Sequence, residues 1–471
     1  MELTDLSVKE LGEGYRAKTF SVVDVAKAHL VRIEKENPVL NAYLEVFDDV
    51  IAEAERAEKI LADKGAGAHL LTGIPIAVKD NILIQGKRVS AASKMLENYV
   101  ATYDATAITH LKNAGAFFLG RTNMDEFAMG SSTEHSAYGV TKNPHDITRV
   151  PGGSSGGSAS AVAAHLAPIA LGSETCGSIR QPVSLCGLVG LKPTYGEVSR
   201  SGLIAMGSSL DQIGPIARTV YDTKLVFDTI RGQDSLDGTT LPNQGETRVS
   251  NKRIGVPREF VKDAQPDVRE NFEKTLDTLR SKGYEIVDIE FPSAPYGLAA
   301  YYIVMPAEVS TNLARLDGVR YGLSYEGKNL LDEYEQSRAR GFGAETKRRV
   351  MLGAYVLSSG YYDAYYKRAT ALRSVIAEDL AKAFADVSFI ATPTTPGPAF
   401  KIGEKSDPVS MYLEDIFAAP ANLTGIPAIS VPMNMVVRDG VSLPVGVQFM
   451  SPKRTESSLF DIARDLIGET L

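Results

Sequence analysis

The sequence predicts an α/β fold built on a large mixed and twisted β-sheet that helices cover on both faces. Short apolar runs at residues 74–78, 117–119 and 169–171 indicate strands, and helical stretches such as residues 105–114 separate them. Strands that alternate with helices predict a sheet covered on both faces. With 471 residues, of which 44% are hydrophobic and 23% charged, the chain is long enough to bury such a core.

The N-terminal segment is predicted to be helical. Ser7 with Glu10, and Ser21 with Asp24, have the spacing of a capping box, in which the two side chains satisfy backbone N–H groups at the start of a helix. After the second box the apolar residues recur on one helical face: Val22, Val25, Ala26, Leu30 and Ile33. Two interpretations stay open, a docking arm for another chain or helices packed on the chain's own core.

The chain beyond residue 231 is predicted to continue with a polar surface loop and then further strands and helices. The predicted order is a loop at 232–252, a strand at 253–257, a helix at 268–279, a strand at 284–291, a helical middle at 298–385, strands at 388–392, 429–431 and 445–450 that rejoin the first sheet, and a helix at 456–466. We therefore treat residues 1–471 as one domain with four parts: the helical segment 1–60, a core with the motifs described below at 61–231, the strand, helix, strand unit with the helical middle at 253–385, and the returning strands at 386–471.

Composition excludes several classes of protein. The longest weakly polar stretch, residues 159–171, is interrupted by Ser160 and His165 and falls short of the roughly 18 apolar residues of a membrane helix. The N-terminus has neither a basic start nor an apolar core, so we expect a cytoplasmic protein. Two cysteines are too few for a disulfide framework and lack the spacing of a zinc site, so no metal is expected. A net charge of -8 without a long basic run argues against direct binding of nucleic acid.

Three short motifs predict amide hydrolysis by a serine nucleophile without histidine. Lys79 ends the apolar run, Ser154 lies in the glycine-rich segment 151–158, and Ser178 lies in the segment 177–182. A serine hydroxyl is a weak nucleophile that needs a neighbouring base, and an unprotonated lysine relayed through a second serine can serve. Lysine is neutral near pH 7 only if burial lowers its pKa far below about 10.4, and the position of Lys79 at the end of a buried strand makes such burial plausible.

Other interpretations of the glycine-rich segment are disfavoured. It lacks the lysine followed by Ser or Thr that a phosphate-binding loop requires, and it has no dinucleotide-binding glycine pattern. It also fits G-x-S-x-G, the nucleophile turn of α/β-hydrolases, whose order is serine, acid, histidine. All six histidines lie at or before residue 165, and no acid separates Ser154 from His165, so that order cannot be completed. An order of histidine, acid and serine remains open in principle.

These motifs resemble those of the amidase signature family. The resemblance implies the amidase signature fold, Lys79 as base, Ser154 as a proton relay that follows a cis peptide bond, and Ser178 as nucleophile. It also implies an oxyanion hole from the backbone N–H groups of Thr175, Cys176, Gly177 and Ser178. Glycines around both serines leave backbone N–H groups free to approach a developing negative charge, which is compatible with that role.

Longer sequence motifs resemble those of one branch of that family, the A subunits of the glutamyl-tRNA(Gln) amidotransferases. These motifs lie at residues 122–134, 208–215, 347–353 and 360–366. In that branch an arginine and an aspartate hold the carboxylate and ammonium groups of free glutamine, which matches the charge pairing this ligand needs. The matching positions are Asp415 and either Arg348 or Arg349, with Arg348 preferred. Further substrate contacts are implied for Met129, Gly130 and Ser131.

The resemblance further implies a role within a complex of three different chains. Glutamine is hydrolysed on this chain, and the ammonia passes to the B subunit, which converts misacylated Glu-tRNA(Gln) to Gln-tRNA(Gln) with ATP and magnesium. The C subunit is the third partner. No cofactor is expected in this chain, and its negative charge is compatible with leaving the tRNA to the B subunit.

Two residues of the nucleophile motif differ from the family's usual S-D-T-G-G-S-I-R. Glu174 replaces the aspartate, and Cys176 replaces a glycine, which adds a Cβ that would be strained if this position had a positive φ. Cys176 also offers a thiol as an alternative nucleophile. Two other functions therefore stay open: a stand-alone amidase for small or fatty amides, and a catalytically silent scaffold subunit.

Overall fold

A β-sheet that receives strands from almost the whole length of the chain forms the core of the molecule. The computed structural model describes residues 2–243, 245 and 247–469. The strands are β1 (Tyr43–Val46), β2 (Pro75–Lys79), β3 (Phe117–Thr122), β4 (Ile169–Glu174), β5 (Val189–Lys192), β6 (Gln212–Ala217), β7 (Arg253–Val256), β8 (Glu285–Asp288), β9 (Phe389–Pro393), β10 (Ala428–Pro432), β11 (Val436–Arg438), β12 (Val441–Leu443) and β13 (Gly446–Met450).

The sheet is mixed, as the sequence predicts. Within the described residues, eleven strands join in the order β1-β3-β2-β4-β6-β5-β10-β13-β9-β7-β8, and β11 pairs with β12 separately. Strand β2 runs parallel to β3 and β4, whereas β10 runs antiparallel to both β5 and β13. The predicted return of the C-terminal strands to the first sheet is therefore confirmed. Every residue of β2 and β4 is buried, which explains why these two strands appear as short apolar runs. Strands β5 and β6 are also completely buried but were not predicted, because Gly190 in β5 and Gly214 and Pro215 in β6 interrupt their apolar residues.

Helices precede, separate and follow these strands. They are α1 (Val8–Ala17), α2 (Val22–Leu40), α3 (Val50–Lys64), α4 (Thr106–Asn113), α5 (Gly156–Ala163), α6 (Arg180–Cys186), α7 (Val220–Ile230), α8 (Arg258–Val261), α9 (Pro266–Ser281), α10 (Gly297–Asn312), α11 (Leu330–Gly341), α12 (Ala344–Leu357), α13 (Lys367–Asp386), α14 (Pro408–Tyr412), α15 (Ala419–Thr424) and α16 (Glu456–Ile467). No helix among the described residues is long and apolar enough to cross a membrane.

The first two helices begin where the sequence predicts. Ser7 and Ser21 both form complete capping boxes, with Glu10 and Asp24 as their partners. The apolar face of α2 is buried in the main core, apart from the partly buried Leu30. Helices α1 and α2 thus pack on the chain's own core, which agrees with that interpretation of the N-terminal segment rather than with a docking arm.

Three predicted segments differ in detail from the structure. Residues 232–252 hold neither helix nor strand where they are described, and Gln244 and Glu246 lie outside the described residues. The strand predicted at 284–291 is limited to β8, because this edge strand is only half-buried and Pro292 follows Phe291. The helical middle is interrupted by a turn region at residues 316–329, where Gly318 and Gly322 adopt positive φ.

Candidate active site

Lys79 lies at the carboxyl end of β2 and is completely buried. Its Nζ donates hydrogen bonds to Ser154 Oγ (2.8 Å), Ser155 Oγ (2.8 Å) and the Ser173 carbonyl (2.9 Å). Burial lowers the pKa of the Lys79 ammonium to about 7, although nearby carboxylates act in the opposite direction. A neutral lysine amine is therefore populated near neutral pH, which is the state in which it can accept a proton.

The backbone around Ser154 is held by close packing on both sides. The Gly153–Ser154 peptide bond is cis, as the resemblance implies. Gly152 has a φ of +88°, and a Cβ on Gly153 would lie 2.2 Å from Asp125 Oδ2. The Gly153 N–H donates to Gln181 Oε1 (2.8 Å). Both glycines are thus required by the backbone path that presents Ser154 to Lys79.

Ser178 lies between β4 and α6, beside the same lysine and serine pair. Its carbonyl accepts a hydrogen bond from the Ser155 N–H (3.2 Å), and its side chain is almost buried. In the part of the chain that the structure describes, Ser178 Oγ makes no hydrogen bond, and no direct bond joins it to Ser154 Oγ. The structure therefore brings the predicted nucleophile next to the predicted relay and leaves its hydroxyl free.

The loop before Ser178 exposes a row of backbone donors. No N–H group from Thr175 to Ser178 donates a hydrogen bond within residues 2–243, 245 and 247–469. Gly177 takes a φ of +78°, which a glycine adopts without steric strain. Four unused N–H groups in sequence can stabilise an anion that forms beside Ser178.

Glu174 connects the two ends of this loop. Its Oε2 accepts hydrogen bonds from the N–H groups of Ile179 (2.9 Å) and Arg180 (3.1 Å), and its Oε1 accepts from Arg180 Nε (2.9 Å). The Arg180 guanidinium also donates to the Ala418 carbonyl (3.0 Å) and to Gln448 Oε1 (2.5 Å). Both charged side chains are completely buried. The longer acid that departs from the family pattern thus fixes the start of the loop to its end.

Cys176 is accommodated without backbone strain. It is not among the residues with positive φ, and the neighbouring Gly177 adopts that conformation instead. Its buried Sγ lies 4.0 Å from the Asp415 carbonyl, and burial raises the pKa of the thiol well above its ordinary value. The strain considered from the sequence is absent, and the thiol stays protonated, which disfavours it as a nucleophile.

Asp415 reaches the nucleophile loop from the C-terminal part of the chain. It ends a short 3₁₀ turn, Leu413–Asp415, and its Oδ2 accepts a hydrogen bond from Ser131 Oγ (2.6 Å). Its Oδ1 is buried and has no hydrogen-bond partner among the described residues, and a Cβ on Gly177 would lie 2.5 Å from it. Burial raises the pKa of Asp415 to about 8, against the effects of Ser131 and Arg349. An unpaired carboxylate oxygen beside the loop is suited to a cationic ligand group.

The structure separates the two candidate arginines. Arg348 is half-exposed on α12 and pairs with Glu345. Arg349 is buried, and its guanidinium lies 5.2 Å and 5.3 Å from the ring centres of Tyr302 and Tyr412. Arg349 also reaches the segment that contains Asp415, because its Nε and the Tyr412 hydroxyl both donate to Glu345 Oε1. Its charge acts to lower the pKa of Asp415. The packing of α12 thus buries Arg349 and leaves Arg348 at the surface, which favours Arg349 over the preferred Arg348 as the arginine of the site.

The segment 129–131 follows the 3₁₀ turn Glu126–Ala128 and is buried. Ser131 joins the site directly through Asp415, and its carbonyl accepts from Gln181 Nε2 (2.8 Å). Gly130 leaves space for the Asp125 carboxylate, which a Cβ would approach to 2.3 Å. Met129 is completely buried in the main core. Of these three residues predicted to contact the substrate, Ser131 is the one whose side chain bonds to a polar group of the site, the Asp415 carboxyl group.

Several members of the site were not predicted from the sequence. Ser155 lies in the glycine-rich motif beside the predicted relay, and the structure shows that it too contacts Lys79. Asp125 accepts hydrogen bonds from the N–H groups of Thr133 (2.9 Å) and His135 (3.1 Å) and thereby shapes the segment that contains Ser131. No cluster of His, Cys, Asp or Glu in the described parts of the chain is arranged to hold a metal ion.

Comparison with known proteins identifies relatives over the whole chain. The amidase family model matches residues 24–460. The chain is 48% identical to the glutamyl-tRNA(Gln) amidotransferase A subunit numbered 2 of Clostridium acetobutylicum, with 100% of both chains covered. It is 49% identical to the glutamyl-tRNA(Gln) amidotransferase A subunit of Carboxydothermus hydrogenoformans, over 98% of this chain and 97% of that one.

Solved structures give the same picture of the fold. The crystal structure of the glutamyl-tRNA(Gln) amidotransferase A subunit from Thermotoga maritima aligns with a TM-score of 0.80 at 40% identity, over 99% of this chain and 95% of that one. The native peptide amidase from Stenotrophomonas maltophilia aligns with a TM-score of 0.82 at 31% identity, over 98% of this chain and 96% of that one. The mixed sheet predicted from the sequence is thus shared with both.

Proposed function

The chain belongs to the amidase family, and on this premise we propose that it is the glutamine-hydrolysing subunit of a tRNA-dependent amidotransferase. One observation carries the proposal. The buried pair of Lys79 and Ser154 lies in the same site as the buried Arg349 and the buried Asp415, one of whose carboxyl oxygens has no hydrogen-bond partner among the described residues. The first pair suits hydrolysis of an amide. The second suits a ligand with one carboxylate and one ammonium group, which free glutamine has.

In the proposed reaction Ser178 attacks the side-chain amide carbon of glutamine. The proton of Ser178 Oγ passes through the Ser154 hydroxyl to the neutral amine of Lys79. The carbonyl oxygen becomes negative in the tetrahedral intermediate, and the N–H groups of residues 175–178 stabilise it. When the C–N bond breaks, the proton returns by the same path to the leaving nitrogen, and ammonia is released. Water then hydrolyses the glutamyl ester on Ser178 and gives glutamate.

The free Ser178 hydroxyl is compatible with this scheme. A hydroxyl group rotates at little cost, and catalytic hydrogen bonds are often formed only when substrate is bound. The Lys79 contacts to Ser154 and Ser155 are already made, so only the last bond of the relay has to form. We expect the substrate carbonyl, held at the loop, to bring Ser178 Oγ and Ser154 Oγ together.

We propose that Arg349 binds the α-carboxylate of glutamine and that Asp415 binds its α-ammonium group. Arg349 is a fixed cation in a buried place, where an ion pair with a ligand carboxylate is strong. Asp415 must be ionised to bind an ammonium group, and the substrate's own positive charge favours that ionised form. The two charges also disfavour the alternative of a fatty amide, which has neither group.

The relatives' names support a proposal for the partners of this chain. A glutamyl-tRNA(Gln) amidotransferase with an A subunit has other subunits, and we propose the B and C subunits as partners of this chain. The B subunit would use the ammonia to amidate misacylated Glu-tRNA(Gln) with ATP and magnesium. A reaction on tRNA supports the cytoplasm as its location. The net charge of -8 supports leaving the tRNA to another subunit.

The test is glutaminase activity of the chain assembled with its partner subunits, compared with Ser178→Ala. We expect a fall of about 10⁴-fold or more in kcat for this variant, as for the loss of other serine nucleophiles. Ser184→Ala, on helix α6 that follows the nucleophile loop but bonded to Thr395, is the matched control and should stay near the wild-type rate. No glutamine turnover by the wild-type complex would favour a silent scaffold, and full activity of Ser178→Ala would exclude Ser178 as nucleophile.

A further inference from the structure

The Glu345 carboxylate connects the two parts of the chain that contain the proposed substrate-binding residues, Arg349 and Asp415. Glu345 lies in the first turn of α12 and is 5% exposed. Its Oε1 accepts hydrogen bonds from Arg349 Nε (2.7 Å) and from the Tyr412 hydroxyl (2.8 Å). Arg349 is four residues further along α12, whereas Tyr412 is the last residue of α14. One oxygen atom therefore connects two segments that lie far apart in the sequence.

On the arginine side, Glu345 determines which donors of Arg349 remain for a ligand. The Nε–H is used by Glu345, and Nη1 lies 3.8 Å from Met305 Sδ. The rings of Tyr302 and Tyr412 lie beside the guanidinium and stack on each other at 3.9 Å. The terminal nitrogens are thus left to meet a carboxylate in the bidentate geometry that makes such pairs strong.

On the aspartate side, the Tyr412 hydroxyl holds the turn that ends in Asp415. Tyr412 directly precedes the turn Leu413–Asp415, so a fixed Tyr412 side chain restricts the position of the carboxylate three residues later. The start of α12 is itself fixed, because Glu126 Oε2 accepts hydrogen bonds from the Gly343 N–H (2.8 Å) and Thr346 Oγ1 (2.5 Å). Glu345 therefore acts from a rigid position.

We propose that Glu345 is a positioning residue that sets the orientation of Arg349 and its distance from Asp415, and thereby the affinity of the site for an α-amino acid amide. The proposal rests on the proposed function. Without Glu345 the buried Arg349 would be free to turn toward Asp415, whose pKa its charge already lowers, and the two groups meant for the substrate would neutralise each other. The Arg349 charge also lowers the pKa of Glu345 against its burial, so the connecting carboxylate stays ionised.

Glutamine binding and turnover of Glu345→Gln test this proposal. In the assembled complex we expect KM for glutamine to rise about tenfold, with kcat within about threefold of wild type, because Lys79, Ser154 and Ser178 are untouched. In the Ser178→Ala background, which binds without turnover, the Kd for glutamine measured by calorimetry should rise by the same factor. Tyr412→Phe removes only one hydroxyl and should raise KM about threefold.

The controls separate positioning from folding and from the function itself. Lys347→Ala changes an exposed neighbour on α12 and should leave KM unchanged. If Glu345→Gln fails to fold, Tyr412→Phe still decides, and an unchanged KM in that variant would overturn the proposal. An equal loss of kcat in both variants with constant KM would overturn it as well. A wild-type complex that does not hydrolyse glutamine would instead refute the proposed function, and this inference with it.

Discussion

At the scale of single residues, the proposed base is controlled by its desolvation. Lys79 has no carboxylate within hydrogen-bond distance in the described chain, and its partners are two hydroxyls and a carbonyl. Neutral partners do not hold the ammonium form as an ion pair would, so burial dominates and brings the pKa to about 7. The amine can therefore be a base at physiological pH without a histidine.

The pH profile of glutamine hydrolysis should show this ionisation. The reaction needs neutral Lys79, so kcat/KM should be low below pH about 6 and rise with pH through about 7. Ionisation of Asp415, with a pKa of about 8, adds to the same rise because the carboxylate form binds the substrate ammonium. Initial rates from about pH 5.5 to 9.5 give the profile. A rate that falls with pH across neutrality would contradict Lys79 as the base.

The sequence pointed to the proposed catalytic residues, which the structure brings together, but it identified their neighbours only in part. Lys79, Ser154 and Ser178 lie in short sequence motifs with recognisable residues on both sides. Arg348 and Arg349 also lie in a motif, but adjacent residues point in different directions from a helix, and only packing decides which of the two arginines is buried. The spacing from Glu345 gives no signal either, because Arg348 at i+3 and Arg349 at i+4 both pair with it.

At the scale of secondary structure elements, the nucleophile loop depends on a buried ion pair. Glu174 ends β4, Arg180 begins α6, and the four residues with unused N–H groups lie between them. Arg180 also contacts Ala418 and Gln448, and Gln448 Nε2 donates to the Phe417 carbonyl (2.6 Å). The pair therefore fixes both the nucleophile loop and the segment that follows Asp415.

Glu174→Gln should damage both stability and turnover. Removing one partner of a buried ion pair leaves the Arg180 charge uncompensated, and we expect a loss of about 3–5 kcal/mol in the free energy of unfolding. A looser loop misplaces Ser178 and the N–H groups, so kcat should fall more than KM changes. Urea unfolding and steady-state kinetics measure the two effects.

The control for this variant is Glu285→Gln, which breaks an exposed pair with Arg253 and should change stability by less than about 1 kcal/mol. If Glu174→Gln behaved like this surface variant in both measurements, the buried ion pair would have no role in holding the loop.

Some completely buried strands were predicted well, whereas the buried β5 and β6 were not predicted and the edge strand β8 was predicted too long. Strands β2, β4 and β9 begin and end within a few residues of the apolar runs that indicated them, because their complete burial requires apolar side chains. Strand order was not predictable in the same way. Strand β10 lies between β5 and β13, and this pairing over long sequence distance accompanies the approach of Asp415 to Gly177 in the nucleophile loop.

At the scale of the whole molecule, several buried ionisable groups make stability depend on pH. Lys79 and Lys192 are completely buried, and desolvation lowers the pKa of each to about 7. Between about pH 7 and the ordinary lysine value of about 10.4, the unfolded chain binds these two protons and the folded chain does not. Their effect on stability therefore becomes more favourable as pH rises through this range. Asp415 acts oppositely, but only up to its pKa of about 8.

Replacing each lysine by methionine separates its effect on stability from its effect on catalysis. Lys79→Met and Lys192→Met both remove a buried amine, so in each variant the free energy of unfolding should rise less steeply between about pH 8 and 10 than in the wild type. Lys79→Met should abolish glutamine turnover, because Ser154 loses its base. Lys192 Nζ donates to the Pro193 carbonyl (2.7 Å) rather than to a serine of the site, so Lys192→Met should retain turnover.

Denaturant unfolding at several pH values measures the stability effect, and glutaminase assays measure the effect on catalysis. If Lys79→Met kept its activity, or if both variants lost it equally, Lys79 would be a structural lysine and the proposed relay would be wrong.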